Sequence, residues 1–313
     1  MKKILKLMTV LWCLTAISSS HAEEKFTVLL DWYVNPDHGP LYVADAQGFF
    51  EEVGLDVELI APANPNDPPK LVAAKKAQVA ISYQPQLHLQ VDQGLPLVRI
   101  GTLVATPLNC IVVLADSDIN QISDLKGRKV GYSVAGFEDA LLASVLEESG
   151  LTIDEVTLVN VNFSLSPALM SKQVDAVIGA YRNFEINQME IHGVPGRAFY
   201  LEEEGIPAYD ELIIVAHQDN VADPRMRKFI DALERGVQYM INHPDLAWEN
   251  FISYDRQLDD ELNRRAWRDT LPRFALRPGA IDQARYERFA KFLLDRKLIG
   301  KIPPLSQYAI ELD

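Results

Sequence analysis

The chain has 313 residues, 48% of them hydrophobic, enough for two domains of ordinary size with an ample core. Thirty basic residues against 44 acidic ones give a formal charge of −14, a balance that argues against nucleic acid and anionic lipid as partners. Only two cysteines occur, and Cys13 falls in a segment expected to be removed, so Cys110 alone offers neither an intrachain disulfide nor a multi-thiolate metal site.

The chain opens with Lys2, Lys3 and Lys6, an apolar run from Leu7 to Ile17 and the small-x-small triplet Ser20-His21-Ala22. That pattern predicts a secretory signal cleaved after Ala22, and Trp12 is too bulky to precede a lipid-attachment cysteine. No later segment reaches about 18 uninterrupted apolar residues, so a periplasmic protein without direct membrane insertion is expected.

Phe26 to Leu30 then reads as a buried strand that ends on Asp31-Trp32-Tyr33-Val34-Asn35-Pro36-Asp37-His38-Gly39. In open α/β sheets, ligands bind beyond the carboxyl ends of the strands, which makes this acid, indole, amide and imidazole candidate contacts. Strands at Asp56 to Ile60, Val79 to Tyr83 and Val98 to Val104 alternate with helices at Leu41 to Glu52, Pro69 to Lys76 and Gln86 to Asp92. The alternation predicts a parallel sheet with right-handed crossovers. A second unit follows, with strands at Lys129 to Tyr132, Val156 to Val161 and Ala176 to Ile178. Its helices are expected at Gly136 to Ser149, Ser166 to Lys172 and Asn183 to His192. Cys110 to Leu114 and Leu212 to Val215 bracket this unit and read as a hinge pair. Beyond them the pattern is helical: Asp223-Pro224 starts a helix that Asn242-His243-Pro244 ends, another begins at Asp245, and Asp282 to Arg296 is amphipathic.

A discontinuous first domain (23–111 and 213–313), an inserted second domain (112–212) and two linking strands describe a type II periplasmic binding protein. Each domain should be a mixed, mostly parallel sheet flanked by helices. Leu30-Asp31-Trp32, Asn35-Pro36, His38-Gly39, Leu41-Tyr42-Val43-Ala44, Gln47-Gly48-Phe49-Phe50 and Gly179-Ala180-Tyr181-Arg182-Asn183-Phe184-Glu185 narrow the resemblance. The chain resembles the family of ThiY-like pyrimidine-precursor-binding proteins of thiamine salvage, which also contains the fungal-type thiamine pyrimidine synthase.

The resemblance implies an aminopyrimidine held between two domains and passed to an ABC permease and its ATPase by a monomeric binding protein. The ligand would be of the formylaminopyrimidine or hydroxymethylpyrimidine type. A carboxylate accepts from the exocyclic amine and from a protonated ring nitrogen, a role given to Glu185 with Asp31 as the alternative. Trp32, Tyr83, Tyr132 and Tyr181 fall near strand ends and are candidates to cover the faces of a flat ring, and an aromatic pair adds about 0.5–1.5 kcal/mol beyond area burial. Asn35 suits a formyl or hydroxymethyl substituent, although an Asn before Pro is also an ordinary turn residue. His38, Gln84, Asn109 and Asn183 complete the candidate contacts.

The synthase of this family is similar in fold but uses a lysine-bound pyridoxal phosphate, a sacrificial histidine and a cysteine-rich iron motif. Here Ser82-Tyr83-Gln84-Pro85-Gln86 has no lysine where that pattern wants one, and one cysteine cannot replace the iron motif. The expectation is a binding protein with no catalytic residues, cofactor or metal. A synthase acting on the same pyrimidine and a binder of another flat heterocycle such as riboflavin stand as alternatives. A sulfonate or nitrate binder ranks lower, because only Arg182 lies near the proposed cleft.

Overall fold

The computed structural model describes residues 24–312, so the expected signal, residues 1–22, lies outside them. The first sheet contains β1 (Glu24–Leu29), β2 (Leu55–Ile60), β3 (Val79–Ser82), β4 (Leu97–Val104) and β10 (Leu212–His217), in the order β2-β1-β3-β10-β4. The second contains β5 (Asn109–Leu114), β6 (Lys129–Tyr132), β7 (Thr157–Asn160), β8 (Ala176–Tyr181) and β9 (Gly196–Tyr200), in the order β7-β6-β8-β5-β9. Apolar side chains fill β3, β4, β5 and β10 almost throughout, and every residue of these four strands is buried. That is the pattern of strands covered on both faces.

In each sheet four strands run one way and one runs against them. β10 is antiparallel to β3 and β4, and β5 is antiparallel to β8 and β9. These are the strands read from sequence as a hinge pair. Neither bridges the two sheets: each is an interior strand of one sheet, entered just after the chain has crossed from the other. The crossings themselves are the segments 105–108 and 201–211.

Helices cover the sheets largely where periodicity places them. The helix expected over Leu41 to Glu52 is two, α1 (Gly39–Ala46) and α2 (Phe49–Glu52), because Gly48 between them takes a left-handed φ of 71°. α3 (Pro68–Ala73), α4 (Gln84–Asp92), α5 (Glu138–Glu148), α6 (Leu165–Met170) and α7 (Glu185–Ile191) follow. α8 (Pro224–Asn242) starts as expected: the Asp223 side chain accepts from Arg225 N–H, Pro224 holds the first position, and Phe229, Ile230, Leu233, Val237 and Met240 are buried. α9 (Pro244–Tyr254), α10 (Glu261–Thr270) and α11 (Gln283–Asp295) complete the chain. No described helix is long and apolar enough to cross a membrane.

Candidate functional site

The two sheets face each other across a cleft with about 460 Å³ of atom-free space, part of it open solvent. Its first wall is the turn after β1 and the end of β3: Asp31, Trp32, Asn35, Asp37, His38 and Tyr83. Its second wall comes from the start of α5, from Leu165, and from the end of β8 into α7: Phe137, Glu138, Gly179, Tyr181, Phe184 and Glu185. Both walls sit at strand ends or helix starts, where side chains can point into a crevice without breaking a sheet ladder.

The first wall is internally wired. Asp31 Oδ1 lies 2.9 Å from His38 Nε2, and Tyr83 OH donates to Asp31 Oδ2 at 2.8 Å. Asn35 N–H points at His38 Nδ1 (3.4 Å), which places the imidazole proton on Nε2, facing Asp31. Asn35 spends its amide on the turn: Oδ1 accepts from Asp37 N–H (2.8 Å) and Nδ2 donates to the Tyr33 carbonyl (3.1 Å). It is thus a capping residue that also lines the cleft.

Across the cleft, Glu185 Oε2 accepts from Tyr181 N–H at 2.7 Å, and burial pushes its carboxyl up to about 7. Glu138 Oε2 accepts from the N–H groups of Ser133 (2.7 Å) and Val134 (3.1 Å), yet burial still pushes this carboxyl up to about 8. Gly179 makes room for it. At φ 95°, a Cβ on Gly179 would stand 2.7 Å from Glu138 Cδ. Tyr181 OH is 3.4 Å from Oε1 of Glu211, whose Oε2 also accepts from Leu108 N–H (2.6 Å) and Asn109 N–H (2.9 Å). Glu211 therefore ties the two crossing segments together directly behind the cleft.

The walls also touch each other. Tyr83 and Phe137 stack with centroids 4.8 Å apart, and Trp32 meets Phe163 edge-on at 4.7 Å. Below them Asn183 Nδ2 donates to Asp37 Oδ1 (2.6 Å) and to Thr270 Oγ1 (2.7 Å). Asp37 Oδ2 is buried without a partner, and burial pushes its carboxyl up to about 6.

Of the residues singled out in the sequence, Asp31, Trp32, Asn35, His38, Tyr83, Tyr181 and Glu185 come together around this cleft. The other four lie elsewhere. Gln84 Oε1 accepts from Asp210 N–H (2.8 Å) and serves the second crossing. Asn109 Oδ1 accepts from Gly179 N–H (3.0 Å), bracing β8 from behind. Tyr132 packs against the core at the end of β6, and Asn183 joins the contact beneath the cleft. One face of Tyr83 is covered by Phe137, so a ring sandwich cannot use both faces of that tyrosine. The sequence reading missed Asp37, Phe137, Glu138, Leu165, Gly179 and Phe184. An acid in the first turn of a helix, such as Glu138, carries no sequence signal beyond favourable capping.

Among the described residues, no lysine or arginine lines the cleft. Arg182, the one cation expected nearby, forms a bidentate pair with Glu202 (2.6 and 2.8 Å) and lies over the Tyr200 ring at 4.3 Å. Such a cleft rewards flat ligands rich in hydrogen-bond donors and disfavours anions.

The architecture is that of the periplasmic binding proteins. The fold aligns with an alkanesulfonate-binding protein from Xanthomonas axonopodis pv. citri with a TM-score of 0.71 over 91% of this chain and 97% of that one, at 13% identity. A Candida albicans protein described as having the generic periplasmic binding protein fold aligns with a TM-score of 0.72, at 17% identity over 93% and 97% of the two chains. The chain belongs to the family described as NMT1/THI5 like, which matches residues 35–247. A Haemophilus influenzae protein provisionally named a thiamine biosynthesis protein is 50% identical over the full length of both chains. A formylaminopyrimidine-binding protein from Halalkalibacterium halodurans is 35% identical over 74% of this chain and 70% of its own. Pyrimidine phosphate synthases are more distant relatives, among them one from Legionella pneumophila at 24% identity over 93% and 92% of the two chains.

Proposed function

We propose that the protein is the periplasmic solute-binding component of an ABC importer and captures a thiamine pyrimidine precursor, of the formylaminopyrimidine or hydroxymethylpyrimidine type. The observation that carries this reading is a cleft walled by aromatic rings and four carboxyl groups, with no cationic side chain among its lining residues. An aminopyrimidine offers what those walls lack: a flat face for the rings and N–H donors for the carboxylates. Glu185 reads the amine edge, because both oxygens of Asp31 already accept hydrogen bonds within the protein. The relative that is 35% identical and named for formylaminopyrimidine binding supports the same ligand class.

Capture couples to transport through the two walls. A ligand favours a closed form only by contacts made better there than in an open one, so residues from both sheets must touch it. Trp32 belongs to the first sheet's turn and Glu185 to the second's. Closure would swing about the segments 105–108 and 201–211, which Glu211 holds together.

The synthase reading has less support at this site. The turn after β3 carries no lysine, and Lys75 pairs with Asp219 at an exposed position (2.6 Å). Mass spectrometry of whatever co-purifies with the native protein tests the proposal: a formylaminopyrimidine or hydroxymethylpyrimidine mass supports it, and a flavin or pyridoxal phosphate mass refutes it.

A further inference from the structure

The hydrogen-bond donors of the cleft are nearly all committed within the protein. Tyr83 OH and His38 Nε2 serve Asp31, the Asn35 amide serves the Tyr33 carbonyl, Gly179 N–H serves Asn109 and Tyr181 N–H serves Glu185. Tyr181 OH is directed at Glu211. An aminopyrimidine carries acceptors as well as donors, on its ring nitrogens and its formyl or hydroxyl oxygen. A buried acceptor without a donor costs about 1–3 kcal/mol, enough to decide affinity.

Glu138 is placed to meet that need. The residue lines the cleft and is 3% exposed; Oε2 is held by two backbone N–H groups, whereas no described hydrogen bond uses Oε1. The backbone is shaped around it at Gly179, where a Cβ would stand 2.7 Å from the carboxyl carbon. We propose that Glu138 acts as a second ligand-reading residue, donating a hydrogen bond from its carboxyl group to an acceptor atom of the bound pyrimidine while Glu185 accepts from the amine edge. The assignment rests on the pyrimidine-capture reading and adds the group that selects for the acceptor edge.

The surroundings keep the proton on Glu138. Asp139 beside it and Glu211 behind the cleft add like charge, Tyr83 faces it from the opposite wall, and no cation lines the cleft to offset burial. The group is pushed up to about 8, so it is mostly protonated at neutral pH and loses its donor above that. Asp37, Glu185 and Glu211 titrate lower, at about 6, 7 and 7.

The test is calorimetric titration of the mature protein with formylaminopyrimidine from roughly pH 6.5 to 9.5, using the unsubstituted chain, Glu138→Ala and Glu138→Gln. The unsubstituted protein should lose at least about tenfold in affinity between pH 7 and 9.5, with the loss setting in near pH 8. Glu138→Ala should bind more than about tenfold more weakly at pH 7. Glu138→Gln, whose amide donates while its carbonyl keeps the two backbone N–H bonds, should restore affinity to within about threefold and abolish the step near pH 8. Equal affinity of the alanine variant, or a step near pH 8 that survives in the glutamine variant, overturns the proposal. If the alanine variant does not fold, the glutamine variant and the pH profile decide. Absence of binding by the unsubstituted protein would instead overturn the capture reading itself.

Discussion

Asp31 and Glu185 are both carboxylates of one cleft, yet their surroundings divide their roles. Asp31 is committed to His38 and Tyr83 and holds the first wall in shape, whereas among described side-chain hydrogen bonds Glu185 has one, from the Tyr181 backbone. Replacing Glu185 by Gln keeps the volume and removes the charge that strengthens a contact to an aminopyrimidine. Affinity for formylaminopyrimidine should fall by more than about tenfold, read by calorimetry, with the thermal midpoint held or raised because a costly buried charge is gone. Unchanged affinity would move the amine-reading role to another carboxyl.

The element that shapes the second wall is the end of β8, where Gly179 bends the strand into a conformation that side chains rarely adopt and gives Glu138 its space. Gly179→Ala should destabilise the fold by about 1–3 kcal/mol and weaken ligand binding together, measured by chemical denaturation and titration. At this scale the sequence was readable wherever a single chain segment carries its own signal. Periodic apolar runs and Asx-Pro starts located β1 to β8, β10 and most helices, and the turn from Asp31 to Gly39 was identified as a wall of the cleft. β9 was missed because Gly-Arg-Ala-Phe-Tyr is half-buried along its length and shows no alternation. α10 was missed because three arginines and two acids within its ten residues dilute its apolar face, although it supplies the Thr270 that meets Asp37 and Asn183. The second wall stayed hidden for a different reason. Phe137, Glu138 and Gly179 are joined only by the fold, and nothing local in either segment announces that a helix start and a strand end will share one carboxyl. The same holds for Gln84 and Asn109: nothing local announces that the first turns its amide to the second crossing and the second to the backbone of β8.

For the molecule as a whole, the buried acids set an unusual pH dependence. Asp37, Glu138, Glu185 and Glu211 are all raised by burial, so the folded chain binds more protons than the unfolded one between the ordinary carboxylate range and about pH 8. Stability contributed by these groups is present in full below their unfolded values and is lost as pH rises through their folded ones. The thermal midpoint of the ligand-free protein should therefore be higher near pH 5.5 than near pH 8.5; a flat or rising profile across that window would show that the four acids are ionised in the fold. The same acids, gathered where two sheets meet and left without a lysine or arginine at the cleft surface, make the case for a neutral or cationic, donor-bearing ring as the cargo. Isothermal titration of ligand-free mature protein with formylaminopyrimidine, hydroxymethylpyrimidine, thiamine and riboflavin in parallel tests that claim most directly. Capture of a thiamine precursor predicts a dissociation constant of about 1 μM or tighter, roughly 8 kcal/mol, for one of the two pyrimidines alone; preference for riboflavin or thiamine, or no heat with any of the four, would contradict it.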